Sequence, residues 1–251
     1  MTKNEEKYLF KMFQEKYEDI PSGVVEFGDK PDVIVLLDNG QTIGIELTEC
    51  IYDEKLMSES EFQIKFNNKV IAKLKGLMPF RFMLDVDIDT NIPLKQNQIE
   101  STIQEIVNIC IIEFSNLQPN ESSSLEQLDV DWNEAPNYFY DHFYNQGYRK
   151  LPKGISRISM SRFDVLTMSH HPESKGGVVP DFKDEDLNHI LSKKEKSLKN
   201  YKACTLQWLV IGEGGDFYSY RDKIDIKKGF STSFDKVFLY RRWDSEVIEL
   251  K

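Results

Sequence analysis

The spacing of apolar positions along the chain predicts helices and strands in alternation. Leu9, Met12 and Phe13 recur at helical spacing and predict a first helix from Thr2 to about Glu18. The same criterion predicts further helices over residues 58–77, 98–117 and 181–202. Apolar runs rich in β-branched and aromatic residues predict strands over residues 80–88, 205–211, 235–240 and 246–250, and two short ones within 155–168. Turn formers and polar residues predict a connector over 21–30 and a loop over 118–127.

The clearest predicted element is a β-hairpin over residues 31–49. Two strand-like runs flank Asp38-Asn39-Gly40, which is a turn signal. If all three residues form the loop, with Gly40 in the left-handed conformation of a bulge, Asp32 lies opposite Glu46. A two-residue loop would instead place the two acids on opposite faces of the hairpin.

Two carboxylates that face one another repel unless a positive charge lies between them. A divalent cation, Mg²⁺ or Mn²⁺, is the simplest candidate, because it prefers oxygen ligands and needs only one or two carboxylates. Asp32 and Glu46 are therefore candidate metal ligands, with the main-chain carbonyl of Leu47 as a third oxygen. Gly44 leaves space on the same face, and Glu49 lies just beyond the pair. Two acids on solvated strand edges are the alternative interpretation.

Composition and charge restrict the class of protein. The net charge of −10 argues against a broad, non-specific grip on nucleic acid, although five lysines gather between Lys193 and Lys202. The three cysteines are far apart, which predicts buried thiols in a reducing compartment and neither a disulfide framework nor a zinc site. The charged N-terminus resembles no signal peptide, and no stretch approaches the roughly 20 apolar residues that span a bilayer. These features predict a cytoplasmic protein without membrane contact.

The order of several short motifs resembles the PD-(D/E)XK, or restriction-endonuclease-like, nuclease superfamily. Pro31-Asp32 matches the PD pair, and Glu46-Leu47-Thr48 stands where the superfamily has Glu-x-Lys. The later part of the chain resembles a bacterial subgroup with Glu-x-Thr in that place. The matching features are helix lysines before a tyrosine, a strand with a tryptophan, and an F-D-x-V-F-L segment: Lys193, Lys196 and Tyr201, residues 208–211, and residues 234–239.

The resemblance implies a fold and an activity. The fold would be α/β, a single restriction-endonuclease-like domain over residues 1–251, with a mixed sheet flanked by helices and a large, mostly helical insertion over 97–180. The activity would be Mg²⁺-dependent hydrolysis of phosphodiesters in DNA or RNA. In that superfamily the acids bind the metal ion, and the lysine orients or activates the attacking water.

Thr48 departs from the superfamily pattern, because it cannot replace a lysine. The later helix would then supply the ammonium group, from Lys193 or Lys196, which are one turn apart. Lys194 points about 100° away from Lys193 and is the weaker candidate. A lysine nitrogen within about 6 Å of the two carboxylates would support this interpretation.

Several further residues are candidates for the site or its surroundings. First helices of this superfamily often add an acid, for which Glu5 and Glu6 are candidates, with surface solubilisation as the other interpretation. Thr48, Glu49 and Tyr201 are possible additions to the site. Arg241-Arg242-Trp243 could contact phosphates and stack a base, or simply form the surface of an edge strand. Residues 138–148 are rich in tyrosine and form either a partner surface or an aromatic core.

The alternative to a nuclease is a binding module of the same fold that has lost its chemistry. Its partner would be nucleic acid or a protein, and Thr48 and the charge of −10 both favour it. A homodimer is compatible with either function.

Overall fold

A computed structural model describes residues 1–128, 142–172, 179–227 and 229–251. The protein is a mixed α/β structure with multi-stranded sheets flanked by helices. The helices that the argument uses are α1 Lys3–Lys16, α2 Glu54–Lys75, α3 Ile99–Asn116 and α4 Asp184–Leu198. The chain forms two compact units, Met1–Glu54 with Lys175–Lys251, and Lys55–Ser174. None of the helices in the described part of the chain combines the length and the apolar character that crossing a membrane requires.

The strands follow one another as short segments along the chain. They are β1 Gly23–Phe27, β2 Val33–Leu37, β3 Thr42–Glu49, β4 Phe82–Ile88, β5 Ser122–Gln127, β6 Tyr148–Arg149, β7 Ile155–Arg162, β8 Phe182–Lys183, β9 Leu206–Glu213, β10 Ile224–Asp225, β11 Lys236–Arg241 and β12 Glu246–Glu249. Six of them form a sheet in the first unit, in the order β1-β2-β3-β9-β11-β12. Its central strands β3, β9 and β11 are parallel, and its outer strands are antiparallel to their neighbours.

One helix packs on each face of this sheet. Thr2 caps α1 with a capping box, and Leu9, Phe10 and Phe13 of that helix are buried against one face. On the other face, α4 buries Leu187, Ile190 and Leu191. Because side chains alternate along a strand, β9 and β11 contribute to both cores, whereas β3 contributes Ile43, Ile45 and Leu47 to the α1 core alone.

The second unit has a four-stranded sheet in the order β4-β7-β5-β6. Helices α2 and α3 bury their apolar residues together with one face of that sheet, in a single core. The predictions of these two helices and of a strand over residues 80–88, which were based on apolar periodicity, are confirmed.

Four predictions about the architecture differ from the structure. Residues 23–27, predicted as a connector, form the edge strand β1, and residues 122–127, predicted as a loop, form β5. Both strands are mostly exposed, so their sequences lack the apolar alternation that reveals half-buried strands, and backbone pairing alone defines them. The described residues of the predicted region 97–180 are accordingly not mostly helical, and residues 155–162 form one strand where two short ones were predicted.

The predicted insertion also begins later in the sequence than the observed compact unit. The unit runs from Lys55 to Ser174, because α2 and β4 share a core with α3. Residues 138–141 of the Tyr-rich run lie outside the described residues. The predicted free thiols are confirmed for Cys50, Cys110 and Cys204, although Cys204 is only half-buried.

The hairpin register is confirmed. Val33 pairs with Ile45 and Leu36 with Thr42, and the backbone N–H of Leu37 donates to the carbonyl of Gln41 at 2.9 Å. Residues 38–40 therefore form a three-residue loop, and Gly40 has a φ of 81°, in the left-handed region. Gly40 sets the register, because a residue with a Cβ is disfavoured there.

Gly40→Ala should lower the free energy of unfolding by about 1 kcal/mol, because an L-residue in the left-handed region is strained. Nothing lies within 4 Å of the added Cβ, so the loss would be purely conformational. Denaturant unfolding of the full chain measures it. Gly229→Ala is the matched control in the same unit, since its added Cβ meets only ordinary contacts and its φ is ordinary. Equal stabilities of the two variants would contradict the proposed role of Gly40.

Candidate active site

Asp32 and Glu46 face one another at the base of the hairpin. Asp32 lies one residue before the paired Val33, and the backbone N–H of Leu47 donates to its Oδ2 at 2.9 Å. Asp32 is 6% exposed and Glu46 is 7% exposed. The expected juxtaposition is therefore present, and both carboxylates are buried, which excludes the interpretation of solvated strand edges.

The electrostatics of the pair are unfavourable to two negative charges. Burial raises the pKa of Asp32 above its usual value, and the charge of Glu46 raises it further. The Leu47 N–H and the ammonium groups of Lys194 and Lys3 lower the pKa of Asp32, but they do not offset the increase. Positive charge next to the two carboxylates would therefore stabilise their ionised forms.

Helix α4 supplies an ammonium group to the pair. The Nζ of Lys194 donates to Glu46 Oε1 at 2.7 Å and to the carbonyl of Leu47 at 3.3 Å. This distance meets the expectation that a lysine nitrogen lies close to the carboxylates. The other oxygen of Glu46, Oε2, is buried and lacks a hydrogen-bond partner among the described residues.

The lysine that contacts the carboxylate pair is Lys194, and not Lys193 or Lys196 as the sequence predicted. Lys193 forms a surface ion pair with Glu54 at 2.5 Å, and Lys196 is exposed. The reason is the orientation of the helix: its buried stripe consists of Leu187, Ile190 and Leu191. Lys194 continues this stripe at the spacings i+7, i+4 and i+3. The apolar stripe was readable in the sequence, but the packing of α4 on the sheet decides that the stripe directs Lys194 toward the carboxylate pair.

The first turn of α1 brings a second ammonium group. The Nζ of Lys3 lies 2.8 Å from Glu6 Oε2, 3.1 Å from Asp29 Oδ1 and 3.4 Å from Asp32 Oδ1. It also donates to the carbonyl of Gly28 at 2.8 Å. Glu6 is therefore near the site, as the first-helix interpretation expected, but a lysine connects it to Asp32. Lys3 was not among the predicted site residues.

Glu5 belongs to the helix cap and not to the site, because its side chain accepts from the backbone N–H of Thr2.

Tyr201 also lies at the carboxylate pair. The pKa of its hydroxyl is raised, first by burial and then by the charges of Glu46 and Asp32. The hydroxyl is buried and makes no hydrogen bond of ordinary geometry within the described part of the chain, although its interaction with the Glu46 side chain contributes to the raised pKa. Tyr201 therefore remains protonated at neutral pH and offers a neutral donor beside Glu46.

Thr48 and Glu49 line one small cavity, but their side chains lie on different faces of β3. Thr48 follows Glu46 on the same face of β3 and, together with Lys194 and His189, lines a cavity of about 50 Å³. Glu49 belongs to the opposite face, where it forms an ion pair with Arg242. Burial raises the pKa of Glu49, and the Arg242 guanidinium opposes this increase. Glu49 is therefore part of a different ion pair and not of the Asp32–Glu46 pair.

Gly44 does not leave the open space expected from the sequence. A Cβ at this position would lie 2.5 Å from Gln207 Oε1 and 3.0 Å from Cys204 Sγ. The Gln207 side chain of β9, the neighbouring strand, therefore occupies the space beside Gly44.

The Arg241-Arg242-Trp243 segment has both arginines in ion pairs. Arg241 pairs with Glu213 and Asp244, and Arg242 with Glu49. Trp243 is exposed and makes an edge contact with the ring of Tyr220. The two guanidinium groups are thus neutralised inside the protein, which disfavours the phosphate-contact interpretation.

As the side chains stand, the described residues contain no group of three or more His, Cys, Asp or Glu side chains arranged to hold a metal ion. The donors nevertheless fit a hard cation. Asp32, Glu46 and the Leu47 carbonyl all offer oxygen atoms as ligands. Among the described residues, Glu46 Oε2 is buried without a hydrogen bond of ordinary geometry. One or two carboxylates are the usual protein contribution to a Mg²⁺ site, with water completing the coordination.

No protein-family model, curated protein or solved structure matches this chain. The functional assignment accordingly depends on the geometry of the site.

Asp32→Asn should increase the free energy of unfolding near pH 7 when divalent ions are absent. The folded-state pKa of Asp32 lies above its usual value, so the folded protein holds this proton more tightly than the unfolded chain. The Asp32 carboxyl therefore stabilises the folded protein less and less as the pH rises from its unfolded-state pKa to its folded-state pKa. Above both pKa values the ionised carboxylate destabilises the folded protein. Denaturant unfolding at several pH values measures the difference between the two proteins, which should shrink as Asp32 becomes protonated at acidic pH.

Glu26→Gln is the matched control, since Glu26 is an exposed acid on the neighbouring strand β1 and should change little. A decrease in stability of Asp32→Asn at pH 7 would contradict this account of the buried pair.

Proposed function

We propose that this protein is a metal-dependent phosphodiester hydrolase, a nuclease that acts on DNA or RNA. The observation that carries the proposal is the meeting of Asp32, Glu46 and Lys194 at one buried position. Two opposed carboxylates with an ammonium group 2.7 Å from one of them provide both metal ligands and a positive charge for a phosphate.

Each residue of the proposed site has a distinct task. Asp32, Glu46 and the Leu47 carbonyl would hold Mg²⁺ or Mn²⁺. The Leu47 N–H fixes the orientation of Asp32 through a hydrogen bond of 2.9 Å. Lys194 would orient the attacking water or stabilise the negative charge that develops on the phosphate, and Tyr201 would donate to an oxygen at the same position.

When bound, the metal ion would lower the pKa of a coordinated water and offset charge on the phosphate. The buried, unpartnered Oε2 of Glu46 supports its presence, because such an atom is destabilising without a partner. The raised pKa of Asp32 supports it as well, because a nearby divalent charge would favour the ionised carboxylate.

A restriction-endonuclease-like arrangement of the first unit is part of this proposal. It is supported by the β2–β3 hairpin that carries both acids, by the parallel β3–β9–β11 strands, and by a helix on each face. A cytoplasmic location is also proposed, since all three cysteines are free thiols.

Asp32→Asn and Glu46→Gln should each reduce cleavage at least about 100-fold, a loss typical of removing a charge that stabilises the transition state. Purified full-length chain with Mg²⁺ or Mn²⁺ would be assayed on single- and double-stranded DNA and RNA, with circular dichroism to verify folding. Cleavage that persists unchanged in both folded variants would refute the proposed site.

Lys194→Met should also reduce cleavage by about 100-fold while leaving Mn²⁺ binding intact, because the ammonium group assists the chemistry and is not a ligand. Lys193→Met is the matched control on the same helix, since Lys193 pairs with Glu54 at the surface. Equal activities of the two lysine variants would remove Lys194 from the mechanism.

A nuclease-like binding module without catalysis is the second candidate. It is favoured by the contacts of Lys194, which bind both Glu46 and the Leu47 carbonyl and so partly satisfy the oxygens that a metal ion would use. Calorimetric titration with Mg²⁺ and Mn²⁺ near neutral pH distinguishes the two functions. Binding that disappears in Asp32→Asn favours the hydrolase, and an absence of binding favours the module.

A further inference from the structure

Lys3 lies in a cage of oxygen atoms directly beside the Asp32–Glu46 pair. Its ammonium group has four oxygen neighbours, from Glu6, Asp29, Asp32 and the Gly28 carbonyl, at 2.8 to 3.4 Å. Three carboxylates and a main-chain carbonyl are the donors that Mg²⁺ and Mn²⁺ take in proteins. The cage therefore has the chemistry of a cation site, and a side chain of the protein supplies its cation.

The two ammonium groups lie on either side of the carboxylate pair. Lys194 contacts Glu46, and Lys3 contacts Asp32 through Oδ1, while Asp32 Oδ2 accepts from Leu47. In two-metal phosphodiesterases the ions are about 3.5–4 Å apart, and they stabilise both the attacking and the leaving oxygen. Asp32 is placed to be shared in this way, because it borders both the candidate metal centre and the cage.

Formal charges favour a single divalent ion. Among the described residues that these contacts join, four carboxylates (Glu6, Asp29, Asp32 and Glu46) face two ammonium groups (Lys3 and Lys194), which leaves two negative charges. One divalent cation balances them. Two divalent cations would leave an excess of positive charge beside the buried Asp32 and Glu46, which is unfavourable unless more anions arrive.

We propose that the Lys3 ammonium occupies the position of a second cation, so that the centre binds one divalent ion and not two. The inference rests on the proposed metal-dependent function and adds the stoichiometry of that site. Lys3 acts as a positioning residue: its ammonium group contacts both Asp32 and Glu6 and so holds the two carboxylates at a fixed separation.

The structure also indicates what happens when the ammonium group is removed. Lys3→Met keeps the helix start, because the capping box involves only Thr2 and Glu5. The side chain of Asp29 is 88% exposed, so it is free to move closer to an incoming ion. The cage would then accept a divalent cation, since its oxygens lose their positive partner.

Titration of the full chain with Mn²⁺, followed by the electron paramagnetic resonance signal of free Mn²⁺, tests the stoichiometry. The wild-type protein should bind one ion, Lys3→Met should bind two, and Lys3→Met/Asp29→Asn should return to one. Lys11→Met is the matched control on α1 and should bind one ion, because Lys11 only pairs with Glu15 at the surface.

Other Mn²⁺ stoichiometries would contradict either the role of Lys3 or the metal centre itself. A wild-type protein that binds two ions overturns the role of Lys3 and leaves the metal-dependent function standing. Folded Lys3→Met that still binds one ion also overturns it. A wild-type protein that binds none refutes the proposed metal centre itself, and the inference with it.

Discussion

Two carboxylates that face one another inside a protein require positive charge, and this requirement organises the first compact unit. Asp32 and Glu46 come from a single hairpin, which cannot neutralise its own acids. The compensation comes from the helices on the two faces of the sheet, Lys194 from α4 and Lys3 from α1. The site is therefore assembled from three regions of the chain that are distant in sequence.

The same electrostatics connect stability to function. Burial keeps the pKa of Asp32 raised in spite of two lysines, so the ionised pair is a source of instability that a bound cation would relieve. Buried ionisable groups with shifted pKa values, such as Asp32, are common at functional sites. A hydrophobic pair at these positions would give a more stable sheet, but it would offer nothing to a metal ion or a phosphate.

Elements with strong local signals were predictable, and weakly patterned ones were not. The capped helix α1 and the amphipathic helices α2 and α3 were readable, because apolar residues recur on one face of each. The strands β1 and β5 were missed, since exposed strands carry no apolar alternation and depend on a partner strand for their definition. The bounds of the second unit were missed because α2 and β4 share a core with α3, a contact that no local pattern shows.

The sequence by itself determined the hairpin and its two acids, and it allowed two loop lengths. The structure selects the three-residue loop, in which Gly40 has the left-handed conformation and Asp32 lies opposite Glu46. Only the tertiary structure decided which ammonium groups reach the pair. The rotation of α4 about its axis depends on how Leu187, Ile190 and Leu191 pack on the sheet, and one residue of difference turns a side chain by about 100°. Lys3 is nearly thirty positions from Asp32 in sequence, a contact that no local pattern encodes.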